Sequence, residues 1–298
     1  MAPWSQRLVA NACIGDETSS VVMLRLLDFR ANAHAFQLLW RSVMQYRELL
    51  WEMTRRDLLE RQAGLAFGAF WVIGQPLLMM LVYVFVFSVI FKVRLNVGHS
   101  GPSYTAFLLA GLVPWLAFQE ALGRASTCIT ENRSLVKQIV FPVEILPLKL
   151  VLSTLVVLGV GLTFPLALTL FDGTAKPLFW LLLPIPIISH LLLTGGLVYI
   201  IAAAGVFLRD IRNIIQLFLM IGLFVHPILY VPGMVPKWTA IAFQALPFSH
   251  VIWIYRDVVM GRIEHPASWL IAPALGIACV MIGYRTFQFG RHMFGDAL

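Results

Sequence analysis

The sequence predicts an all-α integral membrane protein: six transmembrane helices, an amphipathic helix ahead of them, and a pair of short re-entrant helices late in the chain. Three observations carry that prediction. Six long apolar stretches occupy most of the chain after residue 65. The 298 residues are 59% hydrophobic and only 12% charged, with mean hydropathy +0.83, whereas soluble domains carry about 25% charged residues. Residues 65–91 hold no formally charged side chain before Lys92, a run longer than the roughly 20 residues that cross a bilayer.

Residues 1–33 read as an N-terminal cytoplasmic extension. They contain Asp16 and Glu17 and no apolar h-region, so a cleaved leader is not expected. Residues 34–64 read as an amphipathic helix. Leu38, Leu39, Ser42, Gln45, Tyr46, Leu49, Leu50 and Met53 recur at three-to-four spacing, with Arg47, Glu48, Glu52, Arg55 and Arg56 on much of the remainder. Such a helix can lie in the membrane surface or pack on a partner.

The first span is expected at about 66–91, with Gly74 and Pro76 inside it. Proline removes a helix donor and kinks the helix, which membrane helices tolerate. A polar loop over 92–102 leads to the second span, Tyr104 to about Ser126, which contains Pro114 and Trp115. Residues 127–149 form a polar connection, and the third span covers about 150–171. A tight loop from Asp172 to Pro177 turns at Gly173. The fourth apolar region, 178–208, is unusually long, and Pro184 and Pro186 place its start in an interface or a break. Arg209-Asp210-Ile211-Arg212 connects it to a fifth span at about 213–231. Residues 234–255 are apolar but broken by Pro236, Lys237, Pro247 and His250, and read as two half-penetrating helices. The last span is expected at about 267–288.

Charge placement orients these elements. The N-terminal region, 124–149, 209–212 and the tail carry eight, four, two and two Lys/Arg. The opposite side receives Lys92, Arg94, Lys176, Lys237, Arg256 and Arg262. The positive-inside rule then puts both termini in the cytoplasm.

Little catalytic chemistry is visible. Cys13, Cys128 and Cys279 are scattered and suggest neither a disulfide framework nor a metal site. No nucleophile–base–acid set stands at local spacing. No Gly-x-x-x-x-Gly-Lys-Ser/Thr run exists, so the chain lacks a phosphate cradle for ATP. Energy must come from a partner or a gradient. Ionisable residues within the spans are few, chiefly Glu120, His190 and His226, which favours a partner. Arg124 lies one turn beyond Glu120 and can pair with it.

Several blocks between and within the spans are more specific. Residues 55–76 read RRDLLERQAGLAFGAFWVIGQP, and 104–147 read YTAFLLAGLVPWLAFQEALGRASTCITENRSLVKQIVFPVEILP. Residues 209–212 read RDIR, and 226–236 read HPILYVPGMVP. Together they resemble the membrane (permease) subunit of ABC-2 type polysaccharide exporters, the group that exports O-antigen, capsule and teichoic acid. The resemblance covers about residues 45–290. The ordered trio in 111–147 is its most specific part: Gly-Leu-x-Pro-Trp, then Asn-x-x-Leu-Val-Lys, then Phe-Pro-x-Glu-Ile-Leu-Pro. His226-Pro227 stands where the family often has Thr-Pro, Leu246-Pro247 where it has Asn-Pro, and the N-terminal extension is longer than usual.

The resemblance implies a homodimer in the bacterial cytoplasmic (inner) membrane, working with two copies of a separate ABC ATPase subunit that binds ATP and Mg²⁺. Its cargo would be an undecaprenyl-diphosphate-linked glycan, with no nucleic acid involved. The amphipathic helix becomes an interface helix, 131–145 a coupling helix seated in the ATPase, and 233–252 paired outer gate helices. Small-molecule or lipid efflux by the same superfamily is the nearest alternative, and a polytopic membrane enzyme is a more distant one.

Candidate site residues follow. Glu131, Arg133, Lys137 and Glu144, with Phe141 as apolar anchor and Pro142 as a fixed bend, would couple to the ATPase. The bland reading of the same residues is a solvated loop. Arg55, Arg56 and Arg61 could meet an anionic headgroup or pyrophosphate, or simply set topology. Trp71, Tyr83, Phe85, Phe87, Trp115 and Phe118 could stack on sliding sugar rings, or be packing and lipid-facing residues. His226, Pro227 and Tyr230 would belong to an outer gate; a packed histidine is an equal reading.

Overall fold

The computed structural model describes residues 29–60, 67–90, 104–137, 141–208, 210–230 and 236–297. Arg61, the loop expected over 92–102, most of the N-terminal extension and residues 233–235 of the expected re-entrant region lie outside them. All regular structure among the described residues is helical.

The amphipathic segment forms two helices rather than one, α1 (Phe29–Gln45) and α2 (Arg47–Glu60), meeting at Tyr46. α1 packs on the last helix of the chain and α2 on the third span. The first span is composite: a 3₁₀ turn at Gly68–Phe70, α3 (Trp71–Phe85) with Pro76 inside it, and a π turn at Val86–Ile90. α4 (Tyr104–Ala125) is the second span, and a four-residue helix α5 (Arg133–Val136) sits in the connection after it. α6 (Ile145–Phe171) is the third span, ending at a turn whose Gly173 takes the left-handed conformation, φ 67°. The break expected at Pro184 is present: α7 (Pro177–Trp180) is a single turn, and α8 (Pro184–Phe207) starts on that proline. Proline is favoured there because its fixed φ suits the first helical turn and its missing N–H would be unpaired anyway.

Five helical segments are long and apolar enough to cross a membrane: Gly68–Ile90, Tyr104–Ala125, Ile145–Phe171, Pro177–Phe207 and Ser268–Phe294. The expected fifth span of 213–231 is shorter than predicted. Its helix, α9 (Ile211–Val225), has 15 residues, or about 22 Å at 1.5 Å per residue. The reason is local. His226 precedes Pro227, whose ring disfavours helical geometry in the residue before it, and His226 turns out to φ −82°, ψ 154°. Leu246 obeys the same rule before Pro247 and separates α10 (Lys237–Ala245) from α11 (Pro247–Met260). α11 ends on left-handed Gly261 and is buried from Phe248 to Met260, so it is an interior element of the fold. The chain closes with α12 (Ser268–Ala297).

α8 and α12 form the tightest pair. A Cβ on Gly196 would lie 2.3 Å from the Cys279 carbonyl carbon, and one on Gly283 would lie 2.1 Å from the Gly196 oxygen. Backbones this close need small residues, the usual solution where lipid supplies no hydrophobic drive between helices. Several hydroxyls in the apolar helices bond back to their own backbone, as Ser153 to Leu150, Thr154 to Val151 and Thr169 to Leu166. The polarity of these three is thereby satisfied without another chain.

Candidate functional site

The connection between α4 and α6 has a buried root and an exposed tip. Cys128 and Ile129 are buried at the root, while Glu131, Arg133, Ser134 and Lys137 are exposed. The turn is closed by backbone bonds, Glu131 N–H to Thr127 O at 2.9 Å and Val136 N–H to Asn132 O at 3.1 Å. Asn132 fastens it from within, its side-chain amide donating to Cys128 O at 2.7 Å. Burial pushes the Cys128 thiol well above its ordinary value, against the opposing pull of Lys149, so it is a packing residue and not a reactive thiol.

An ionic joint lies directly behind this turn. Arg124, in the last turn of α4, donates twice to Asp57 of α2, at 2.9 and 2.7 Å. This two-pronged geometry is the strong form of the guanidinium–carboxylate pair. Lys149, in the second turn of α6, lies 4.0 Å from the same carboxylate and donates to Asn132 at 3.5 Å. Asp57 is buried, and four segments converge on it: α2, the end of α4, the start of α6 and, through Asn132, the exposed turn. Arg124 thus reaches an acid of another helix, in addition to whatever it shares with Glu120 one turn back. Arg56 bonds Glu60 within α2, on the surface.

A second joint holds the far side of the connection. Glu144 is buried, and its carboxylate accepts from Arg291 and, at 3.2 Å, from Gln288 of α12. Tyr199 of α8 donates to the Glu144 carbonyl at 2.9 Å. Glu144 therefore faces inward and ties α6 to α8 and α12; it is not displayed with Glu131, Arg133 and Lys137 at the tip. Phe141 and Pro142 are half-buried between tip and root.

The remaining candidates separate into groups. Arg55 and Arg56 are exposed on α2. On the first span Trp71, Tyr83 and Phe87 are half-buried and Phe85 is exposed. Trp115 and Phe118 are elsewhere altogether: both are fully interior, packed with Phe248 and His226. They are interior to the fold, because α11 covers them. His226 and Pro227 are buried and Tyr230 is half-buried, its ring stacked on Phe243 at 6.2 Å.

The turn after α9 is pinned by side chains from two other helices. Tyr104 donates to Leu229 O at 3.0 Å, and Arg256 of α11 donates to Ile228 O at 2.6 Å and to Phe107 O at 3.4 Å. The Arg256 guanidinium stacks on the Phe107 ring at 3.8 Å. Counting Arg256 as a loop charge is thus corrected: it is buried inside α11.

Lys149 and Arg256, counted only as topology-setting charges, are the functional-looking residues that pattern reading passed over. A signal existed for both. Lys149 and Arg256 each interrupt an apolar helix, and a charge inside such a run must find a partner.

The residues 48–260 match the model of the ABC-2 type transporter family. The chain is 33% identical over 261 residues, 87% of its length, to the O-antigen export system permease protein RfbA of Myxococcus xanthus, and the match spans 98% of that protein. It is 27% identical over 252 residues to a Klebsiella pneumoniae protein of the same name, spanning 84% of this chain and 95% of the relative.

Proposed function

The chain belongs to the ABC-2 type transporter family, and we propose on that basis that it is the permease subunit of an ATP-driven exporter of O-antigen-like polysaccharide. The carrying observation is the end-to-end alignment with a polysaccharide permease at 33% identity. The helices make the chain a multi-pass membrane protein; its seat in the cytoplasmic (inner) membrane of a bacterium, with both termini inside, belongs to the same proposal and requires α9 as a further crossing.

In this reading two copies of the chain enclose the path, and two ATPase subunits bind ATP and Mg²⁺ below them. α9 serves as a sixth, short span, α1 and α2 as the interface helix, and α10 and α11 as the outer re-entrant pair. The exposed tip, Glu131, Arg133 and Lys137, docks in the ATPase. Opposite charges on so short a segment suit a complementary cleft and fix its register. Phe141 and Pro142 stiffen the return, and Glu144 anchors it. Closure of the ATPase pushes the tip, and the Asp57–Arg124–Lys149 joint passes the displacement to α2 and the inner ends of α4 and α6. Rigid helices joined at few points transmit such motion as whole bodies.

The cargo is a lipid-linked glycan, with an undecaprenyl diphosphate carrier as the specific form. Arg55, Arg56 and Arg61 stand where its anionic group would meet the cytoplasmic interface. Trp71, Tyr83, Phe85 and Phe87 of the first span are placed for contact with sugar, and His226, Pro227 and Tyr230 form part of the outer closure. The test is deletion of the gene, followed by assay of lipid-linked glycan on each leaflet. Inner-leaflet accumulation with loss of surface polymer is expected, restored by the wild-type chain and not by a Glu131→Lys, Lys137→Glu variant. Unchanged surface polymer with no accumulation would overturn the assignment and favour small-molecule efflux.

A further inference from the structure

α4 is buried along nearly its whole length. Its partly exposed residues are Leu116, Gln119, Glu120, Gly123 and Arg124. Their spacing of three and four places them on one stripe, confined to the inner half of the helix. Leu116, Glu120 and Arg124 line a cleft of about 460 Å³ against α3, where Trp71, Gln75 and Met79 form the wall. Gln119 and Gly123 line another, of about 530 Å³, against Gln216, Met220 and Phe224 of α9. The two clefts flank the stripe on α4: α3 and, through Ser153, Val156 and Val157, α6 wall the first, and α9 walls the second.

The polarity of this region is informative. Gln75 and Gln216 are exposed and Gln119 is half-exposed, at positions that fall within apolar helices. An amide turned to hydrocarbon forfeits hydrogen bonds worth several kcal/mol. Polar side chains at such depth therefore face water or a polar ligand by default. The other face of α9 behaves differently. Ile214, Leu217, Phe218, Ile221 and Val225 are exposed and wholly apolar, as a lipid or partner-facing surface requires.

Resting on the exporter reading, we propose that this trough is the inner stretch of the sugar path, with Gln75, Gln119 and Gln216 as the groups that hold the passing glycan. Each amide offers two donors and an acceptor, which suits a row of sugar hydroxyls whatever the sequence of sugars. Gly123 keeps the floor free of a side chain between Gln119 and the cytoplasmic end. Trp115 and Phe118, packed behind the stripe, give that floor its rigidity instead of touching cargo themselves.

The test is thiol accessibility in a variant lacking Cys13, Cys128 and Cys279 that still displays surface polymer. In inside-out vesicles a membrane-impermeant, negatively charged methanethiosulfonate labels Gln119→Cys and Gln216→Cys an order of magnitude faster than Leu217→Cys and Ile221→Cys. Equal rates at the four positions would overturn the proposal. So would protection of Gln119→Cys and Gln216→Cys while Ser134→Cys at the tip labels readily, which would mean that a second copy or lipid covers the trough. In cells, Gln119→Leu combined with Gln216→Leu lowers surface polymer several-fold at unchanged membrane abundance, and the corresponding double Asn variant recovers most of it. Normal display by the double Leu variant, where gene deletion abolishes display, sinks the amide role alone. Unchanged display on gene deletion removes the exporter reading, and the glycan role of the trough falls with it, whatever the labelling.

Discussion

Two arginines tie this fold together, one at each end of the bundle, and they do so in opposite ways. In the proposed orientation, Arg124 on the inner side faces a carboxylate on a separate helix, is about one-third exposed, and has a second cation, Lys149, beside the same acid. Arg256 at the opposite end is buried, donates to two backbone carbonyls and lies on the face of an aromatic ring. An ion pair near water can exchange its partner for solvent or for the neighbouring cation at modest cost. A cation sealed against carbonyls in an interior cannot let go without stranding itself. The inner tie is therefore suited to a joint that moves, and the outer tie to a weld. The turn after α9 is held by Tyr104 and Arg256, and α9 itself is largely exposed along its length.

The largest expected effect follows from breaking the weld. Arg256→Met removes donors from Ile228 and Phe107, and hydrogen bonds of a charged donor contribute about 1.5–3 kcal/mol each. The purified chain should show a clearly lower thermal midpoint, and little of it should survive extraction as a folded species. Arg256→Lys should recover only part of the loss, since an ammonium lacks the planar fork and its stacking. A melting curve for Arg256→Met that overlays the wild type would show that this arginine does not fasten the turn.

Gly222 offers a second, somewhat smaller, way to strike the same end. A Cβ there would sit 2.5 Å from the Trp115 ring, and overpacking of this kind costs about 1–3 kcal/mol. Gly159→Ala, in α6 with nothing within 4 Å of the added atom, should instead be neutral or stabilise the helix by about 0.5–1 kcal/mol. Thermal denaturation of the two variants side by side tests whether the outer end of α9 is packed as tightly as its glycine implies. Equal behaviour would mean that it is not.

Breaking the inner joint should leave the fold standing and disturb transport. Asp57→Asn or Arg124→Gln should lower surface polymer several-fold while membrane abundance changes little. The swapped pair, Asp57→Arg with Arg124→Asp, should restore part of the activity, with a coupling energy within the 0.5–3 kcal/mol range of contacting residues. Polymer levels in the four strains of this cycle decide the matter. Strictly additive losses would show that the two side chains act independently and that the joint transmits nothing.

How much of this was legible beforehand differs between the two ends for physical reasons. The span order, the break at Pro184 and the two late short helices follow from hydropathy and proline placement, which act locally. The polar tip was likewise visible as charges between apolar runs. Pairings across the fold were not. Arg124 has Glu120 one turn away, and no periodicity reveals that Asp57, 67 residues earlier, also meets it. The aromatic pair in α4 misled for a related cause. Trp115 and Phe118 look like a stripe for sliding sugars until α11 is packed over them, and the insertion of a 14-residue helix cannot be read from the residues it covers. Glu144 shares a short segment with the exposed charges, yet α12 claims it. Hydropathy assigns a residue to a layer, but only packing decides which way it faces within that layer.

The smallest expected effect sharpens the contrast most, because it concerns adjacent residues. Arg56 and Asp57 are successive on α2, and about 100° of helical rotation separates a surface from an interior. Arg56 pairs with Glu60 in the open, with side chains 76% and 59% exposed, while the Asp57 side chain is 7% exposed. Salt screens charges in water over about 10 Å at 0.1 M but reaches a covered pair far less. Arg56→Gln should therefore leave surface polymer unchanged and lower stability only slightly, by an amount that vanishes as ionic strength rises. Asp57→Asn should keep its effect at any salt concentration. A stability series against salt for the two variants measures this directly. If the Asp57 effect fades in parallel with that of Arg56, the inner joint is a surface pair that happens to point inward, and the motion of α2 must be driven through its apolar contact with α6 instead.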